Sequence, residues 1–153
     1  MVLLGSKKLI RGFTLIELLV VVAILGVLAA IGTISYSSYV TSSKMSGAEN
    51  TMSQISLAQT EYYSDTNSYY VQGTACDPNK ENTKLISKED VLGVPINLDS
   101  NDKPDIGFYF CVEGDGTDYE IVALADYGPA SKSDKCEITF KGSDLKAVRN
   151  DNC

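Results

Sequence analysis

The 153-residue chain has no histidine and no tryptophan. Without histidine there is no Ser-His-Asp or Cys-His catalysis and no histidine-ligated zinc. The acid–base chemistry that imidazole performs near neutral pH is excluded as well. No Cys-x-x-Cys pair and no glycine-rich phosphate loop occurs, so redox-motif and nucleotide chemistry lack their usual residues. Proline is scarce, with 4 in the chain and none before Pro78. Basic charge is short: 13 Lys and Arg stand against 20 Asp and Glu, a net charge of −7. That balance excludes a nucleic-acid binder working through a basic surface. What is present begins with 44% hydrophobic residues, enough for a folded core, and 4 cysteines. An even cysteine number fits two disulfides in an oxidising compartment.

The composition is strongly polarised along the chain. Lys7, Lys8 and Arg11 lie in a leading segment without acids, and residues 13–34 read FTLIELLVVVAILGVLAAIGTI with Glu17 as the one charge. As a helix this run spans about 33 Å, enough for a hydrocarbon core of about 30 Å. Positive charge immediately before it predicts a cytoplasmic N-terminus and export of the C-terminal part of the chain. An ordinary signal peptide is the plainer alternative, but its apolar region is only ~7–15 residues long. The run here is longer, carries Glu17, and offers only Ala29-Ala30 in imitation of a small-residue cleavage site. A carboxylate near the centre of a membrane helix costs ~2.5–3.5 kcal/mol, and less near an end. Either Glu17 sits shallow or protonated, or it has a positive partner. Cleavage between Gly12 and Phe13 would create one, an α-amino group four residues from Glu17.

These residues resemble the leader and N-terminus of type IV pilins and the related pseudopilins: Lys8-x-x-x-Gly12, then Phe13-Thr14-Leu15-Ile16-Glu17-Leu18-Leu19, then the apolar stretch from Ala23 to Ile31. The likeness covers residues 7–40. It implies removal of a leader, residues 1–12, by a prepilin peptidase at Gly12–Phe13, and N-methylation of Phe13. It also implies that Glu17 neutralises the Phe13 ammonium of a neighbouring subunit during assembly, where an unpaired charge would cost several kcal/mol. A homopolymer with other pilin subunits is implied, built from the inner membrane by a platform protein and an ATPase motor. The chain departs from many filament-forming pilins in having no proline near Thr33-Ile34-Ser35. Any kink or melted turn must rest on Gly26, Gly32 and 33–35, which permit close helix approach and local unwinding.

Beyond a membrane and assembly helix over 13–36, Met45, Ala48, Met52, Ile55, Ala58 or Gln59, and Tyr62 recur at steps of three or four. This predicts one amphipathic helix over 37–65 with its stripe on a globular head. Ser43, Lys44, Glu49, Asn50, Ser53 and Gln54 fall on the polar face, and Gly47 is read as a bend. The head spans 66–153. Its connection, 66–106, holds Tyr69-Tyr70-Val71 as a short strand or packed loop, and a helical turn from Ser87 to Leu92 capped by Ser87. The sheet, 107–153, consists of hairpins 107–125 and 136–148 with a loop over 126–134. A long helix packed on a four-stranded antiparallel sheet makes the fold α+β.

Four cysteines allow three pairings. Folding back the last hairpin brings Cys136 near Cys153, as in the disulfide-bounded C-terminal region of many pilins, and Cys76–Cys111 follows by elimination. Asp99, Asn101 and Asp105 faintly resemble an alternating oxygen-ligand calcium loop, without the glycine and glutamate of an EF-hand. Major pseudopilins bind calcium in the head, but a solvated polar loop is the preferred reading. No cofactor is expected. Three functions are weighed. The leading one is a structural subunit of a type IV pilus, inserted in the inner membrane and then extracellular, serving adhesion, twitching motility or DNA uptake. The second is a type II secretion pseudopilin acting as a periplasmic piston. The third, an enzyme on a membrane anchor, has no nucleophile–base pair or metal cluster to support it. Without Lys7, Lys8 and Arg11, 10 basic residues face 20 acidic ones, so direct DNA binding is not expected of this subunit.

Overall fold

The computed structural model describes residues 12–128 and 131–153, and for 33–35 the backbone alone. The expected leader falls outside the described residues except for Gly12. The chain divides into two units, one ending at Val40 and the other running from Thr41 to Cys153. Helix α1, Leu15–Thr66, contributes to both. No proline interrupts it, so every turn can close its backbone hydrogen bonds. It stops at Asn67, whose left-handed backbone (φ 58°) ends the helix while its N–H still donates to Tyr63. The Thr66 hydroxyl adds a second donor to the Tyr62 carbonyl of the last turn.

The apolar side chains from Phe13 to Ile31 face solvent. From Phe13 to Ile31, thirteen large apolar residues are exposed, and the mean hydropathy of the most apolar window reaches 2.8. By length and composition α1 can cross a membrane. Backbone helix continues through Gly26, Gly32 and 33–35 without interruption. A Cβ at Gly26 or Gly32 would meet nothing within 4 Å in the single subunit.

The second unit packs the C-terminal half of α1 on a sheet ordered β1-β2-β3-β4, antiparallel throughout. The strands are β1 Phe108–Gly114, β2 Tyr119–Ala125, β3 Glu137–Lys141 and β4 Lys146–Arg149. Alternation puts Phe108, Phe110, Val112, Ile121, Ala123, Ile138 and Phe140 on the inner face, buried against Met45, Ala48, Met52 and Ile55. Burying each large side chain contributes about 1.5–3 kcal/mol. The last hairpin lies one residue later than its predicted strands, because Leu145 adopts a left-handed turn conformation (φ 50°) and starts β4 at Lys146.

Polar groups in this core fix its register. The Gln59 side chain is fully buried and clamps Tyr70: its Oε1 accepts from the Tyr70 N–H (2.8 Å) and its Nε2 donates to the Tyr70 carbonyl (2.7 Å). Ser56 and Tyr119 share a hydrogen bond of 2.7 Å between their hydroxyls. Tyr119 needs Gly142 beside it, since a Cβ there would lie 2.5 Å from the ring. Gly114 is equally constrained, with φ 151° and the Asp118 carbonyl 2.3 Å from an added Cβ.

Several sequence expectations are corrected. The short helix is α2, Lys80–Ser87, capped by Asn79, whose side chain accepts from the Asn82 N–H (2.9 Å). Ser87 ends this helix instead of starting one. The Asn79 cap and the Glu81 in the first turn suit the N-terminus better than the Ser87 pattern did. Of the two readings of Tyr69-Tyr70-Val71, the packed loop holds, with the Tyr70 carbonyl and amide taken by Gln59. Gly47, read as a bend, sits inside continuous helix and allows close approach of Ile106, 3.3 Å from an added Cβ. Lys44 and Glu49 are not on a free polar face: Lys44 lies 4.7 Å over the Tyr127 ring and Glu49 accepts from Arg149 Nε at 2.8 Å.

Replacing Gln59 with leucine keeps the volume but strands the Tyr70 amide and carbonyl. Chemical denaturation of the detergent-solubilised chain is expected to show a loss of about 2–3 kcal/mol, the cost of unsatisfied buried polar groups. A loss below about 0.5 kcal/mol, the low end for a net hydrogen bond, would mean that the clamp is dispensable.

Candidate assembly surface at the start of the helix

The start of α1 is built by two side chains that close on each other. Thr14 is the N-cap: its carbonyl accepts from the Leu18 N–H (3.2 Å), and its hydroxyl accepts from the Glu17 N–H (3.3 Å). Glu17 reaches back, and its Oε2 accepts from the Thr14 N–H (2.9 Å) and from the Thr14 hydroxyl (2.7 Å). This reciprocal arrangement is a capping box, and it also places the carboxylate at the positive end of the helix dipole. Thr14 was not singled out by sequence reasoning, although Thr-x-x-Glu before an apolar run is its signal. Phe13 precedes the cap, is 77% exposed, and with Ile16, Glu17, Val20 and Val21 lines a shallow recess of about 310 Å³. Glu17 Oε1 has no hydrogen-bond partner among the described residues, so one carboxylate oxygen remains open to a donor from outside.

The remaining predicted residues lie in the head. Cys136 is bonded to Cys153 (Cα–Cα 4.6 Å) and Cys76 to Cys111 (Cα–Cα 6.2 Å). The first bond closes β3 onto the C-terminus. The second ties the loop after α1 to β1, where Cys111 is fully buried. Asp99, Asn101 and Asp105 share one polar loop whose geometry is set by backbone contacts. Asp99 Oδ1 accepts from the N–H groups of Asn101 (2.7 Å) and Lys103 (3.0 Å). The Asp105 N–H donates to the Asn97 carbonyl. Two ammonium groups stand at this loop, Lys84 paired with Asp102 at 2.7 Å and Lys103 paired with Asp126 at 3.0 Å. Among the described residues no group of three or more His, Cys, Asp and Glu side chains is placed to hold a metal.

Residues 7–33 match the prokaryotic N-terminal methylation motif. The chain is 30% identical over 142 residues to the type IV major fimbrial protein FimA of Dichelobacter nodosus, an alignment covering 92% of this chain and 81% of that protein. The chain belongs to the type IV pilin family. Two further relatives match locally. The fimbrial protein EcpC of Eikenella corrodens is 51% identical over 59 residues, 39% of either chain. The type IV major pilin protein PilA of Myxococcus xanthus strain DK1622 is 42% identical over 59 residues, 39% of this chain and 27% of that one. In both, the alignment spans well under half of the relative's length. No solved structure matches the chain. The relatives are structural fimbrial proteins, and this pilin is a structural subunit and not an enzyme.

The Lys103 and Asn101 N–H groups hold the Asp99 carboxyl below its ordinary range, and the Thr117 hydroxyl, followed by the Thr117 and Asp118 N–H groups, does the same for Asp115. A depressed carboxyl stabilises the fold above its unfolded pKa of about 3.9 and loses that contribution as pH falls through its lower folded value. Asp99→Asn is therefore expected to lower the thermal midpoint at pH 7, with the gap from wild type closing as pH drops below about 4. A gap unchanged between neutral and strongly acidic pH would exclude this linkage. Separately, converting each cysteine pair to serine is expected to cost about 4 kcal/mol for the 35-residue loop of Cys76–Cys111 and about 3 kcal/mol for the 17-residue loop of Cys136–Cys153. Denaturant titration of the two double variants measures the order.

Proposed function

We propose that this pilin is matured by cleavage at Gly12–Phe13 and N-methylation of Phe13, and that it assembles with other pilin subunits into a type IV pilus. The observation that carries the reading is the Glu17 carboxylate, held at the head of a fully exposed apolar helix with one oxygen open. Thirteen large apolar side chains left in water would cost roughly 20–40 kcal/mol. The carboxylate costs ~2.5–3.5 kcal/mol in lipid, so it does not prevent insertion. The helix enters the inner membrane once, with the leader cytoplasmic, and then leaves it for a filament core.

In that core Glu17 Oε1 accepts from the Phe13 ammonium of a neighbouring subunit, while Oε2 stays on Thr14. Thr14 thereby orients the carboxylate before the partner arrives. Cleavage by a prepilin peptidase supplies the ammonium. A platform protein and an ATPase motor supply the work of extraction, which nothing in this chain provides. Adhesion, twitching motility and DNA uptake are the roles open to such a filament. The 10 basic against 20 acidic residues of the mature chain direct the DNA role to other subunits. A pseudopilin of type II secretion is the second reading.

Mass spectrometry of sheared extracellular filaments tests the proposal. A mature species beginning at N-methyl-Phe13, four hydrogens lighter than the reduced chain, is expected as the main component. Glu17→Ala is expected to abolish these filaments while leaving the processed, disulfide-bonded subunit in the membrane. Processed wild-type protein confined to the cell envelope would favour the pseudopilin. An intact Met1 terminus in wild-type cells would overturn the maturation scheme.

A further inference from the structure

Aromatic residues are placed unevenly along α1. Residues 14–35 contain no Phe, Tyr or Trp, and the apolar run is bounded by Phe13 at one end and by Tyr36 and Tyr39 at the other. Phe13 and Tyr36 are 23 residues apart, about 35 Å along a helix. Tyr36 is 70% exposed and Tyr39 72% exposed, and their spacing places them on one helix face. The other two tyrosines of α1 have ring partners: Tyr62 meets Tyr70 at 5.8 Å between centroids, and Tyr63 meets Tyr69 at 4.6 Å. Tyr36 and Tyr39 have neither a ring partner nor a hydrogen bond among the described residues. Nothing in the fold of the single subunit holds these two phenols.

A phenol has an apolar ring and a polar tip, so it is best placed where hydrocarbon meets water. The chain around these tyrosines is such a border. Ile34 closes the apolar run, Ser37 and Ser38 lie between the two rings, and beyond Tyr39 the side chains of Val40 and Thr41 are already partly covered. Lys7, Lys8 and Arg11 lie at the opposite end of the run, which assigns residues 36–39 to the periplasmic side. With Tyr36 at one boundary of a hydrocarbon core about 30 Å thick, the other boundary falls about 20 residues earlier, at Ile16 and Glu17. The carboxylate then stands at the edge of the core, where it costs least. Centring the run 13–34 in the core would instead leave Glu17 about 5 Å inside that edge.

We propose that Tyr36 and Tyr39 anchor α1 in the headgroup layer of the periplasmic leaflet and thereby hold Glu17 at the cytoplasmic boundary of the hydrocarbon core. The inference rests on the membrane-insertion step of the proposed function. Lipid is the occupant of this face before assembly, because the two rings continue the thirteen exposed apolar residues that require it. The phenol hydroxyls donate to ester and phosphate oxygens while the rings stay against the upper part of the tails. The length of an apolar run alone leaves tilt and sliding open, and interfacial aromatic residues are what remove that freedom.

The chain has no tryptophan, so one substitution supplies a single fluorescent reporter of depth. The full chain, with its disulfides intact, is placed in vesicles of phosphatidylethanolamine and phosphatidylglycerol whose tails are brominated at shallow or at deep positions. Leu25→Trp is expected to be quenched most by the deep bromines and Tyr36→Trp by the shallow ones. In the Leu18→Trp background, Tyr36→Ala with Tyr39→Ala is expected to move the reporter about 3 Å deeper, two helical residues, at unchanged helix content. Restoring either tyrosine is expected to recover part of that shift. A Tyr36→Trp reporter quenched most by deep bromines, or open to aqueous iodide and untouched by any brominated lipid, overturns the proposal. An unmoved Leu18→Trp reporter in the double-alanine variant overturns it too. If deep bromines fail to quench Leu25→Trp, membrane insertion itself falls, and this anchor falls with it.

Discussion

The head depends on one surface, the stripe of α1 from Met45 to Gln59, and on the sheet that covers it. The stripe is not purely apolar. Ser56 and Gln59 lie in it fully or nearly buried, and each is satisfied by one partner, Tyr119 or Tyr70. Apolar contacts alone would tolerate a slip along the helix, whereas a buried amide or hydroxyl out of register loses its partner and costs about 1–3 kcal/mol. These two residues therefore fix where β2 begins and where the loop after α1 turns. Gly142 follows from the same constraint, because the Tyr119 ring that reaches Ser56 fills the space where any side chain at 142 would stand.

The same logic explains why the connection between α1 and β1 is long yet ordered. It crosses the β1 edge and satisfies that edge with Gln72 and Thr83, so α2 and its cap serve as a cover for unpaired strand groups. The Cys76–Cys111 bond secures the cover to the strand it protects. The opposite edge is limited only by its four-residue length and by Lys146 and Arg149, the usual deterrents to indiscriminate strand pairing. One edge is thus sealed by the chain itself, and the other is left to solvent or to a neighbour.

Much of this was legible in the residues. The recurrence of Met45, Ala48, Met52 and Ile55 at steps of three or four located the buried stripe, and the aromatic, β-prone runs 107–113 and 119–125 located the first two strands. The Gly-Phe junction with Glu17 pointed to the family. The α2 boundary was misplaced because Ser87 and Asp90 imitate a cap, while the Asn79 cap follows Pro78 with few apolar residues to signal a helix. The β3–β4 shift was hidden by Leu145, a residue whose type argues for strand but whose backbone is a turn. Thr14 was missed for a different reason. Its role is reciprocal with Glu17, and reading Glu17 for a cationic partner concealed the neutral one three residues before it.

That inside partner bears on how lipid and filament core compete for α1 in the proposed assembly. Apolar side chains gain little by moving from lipid tails to the side chains of other helices, since both surroundings are equally apolar. The thirteen residues that drive insertion therefore do not decide extraction. In the proposed assembly Glu17 would, because lipid tails offer its open oxygen no donor while a neighbour's ammonium would offer a charge-assisted one. Thr14 would sharpen the difference by holding Oε2 of the carboxylate, so little side-chain freedom remains to be lost on pairing with an ammonium. A polar pair can thus direct a transfer whose apolar terms nearly cancel, and under the proposal its position at the start of the helix would set the axial register between neighbouring subunits.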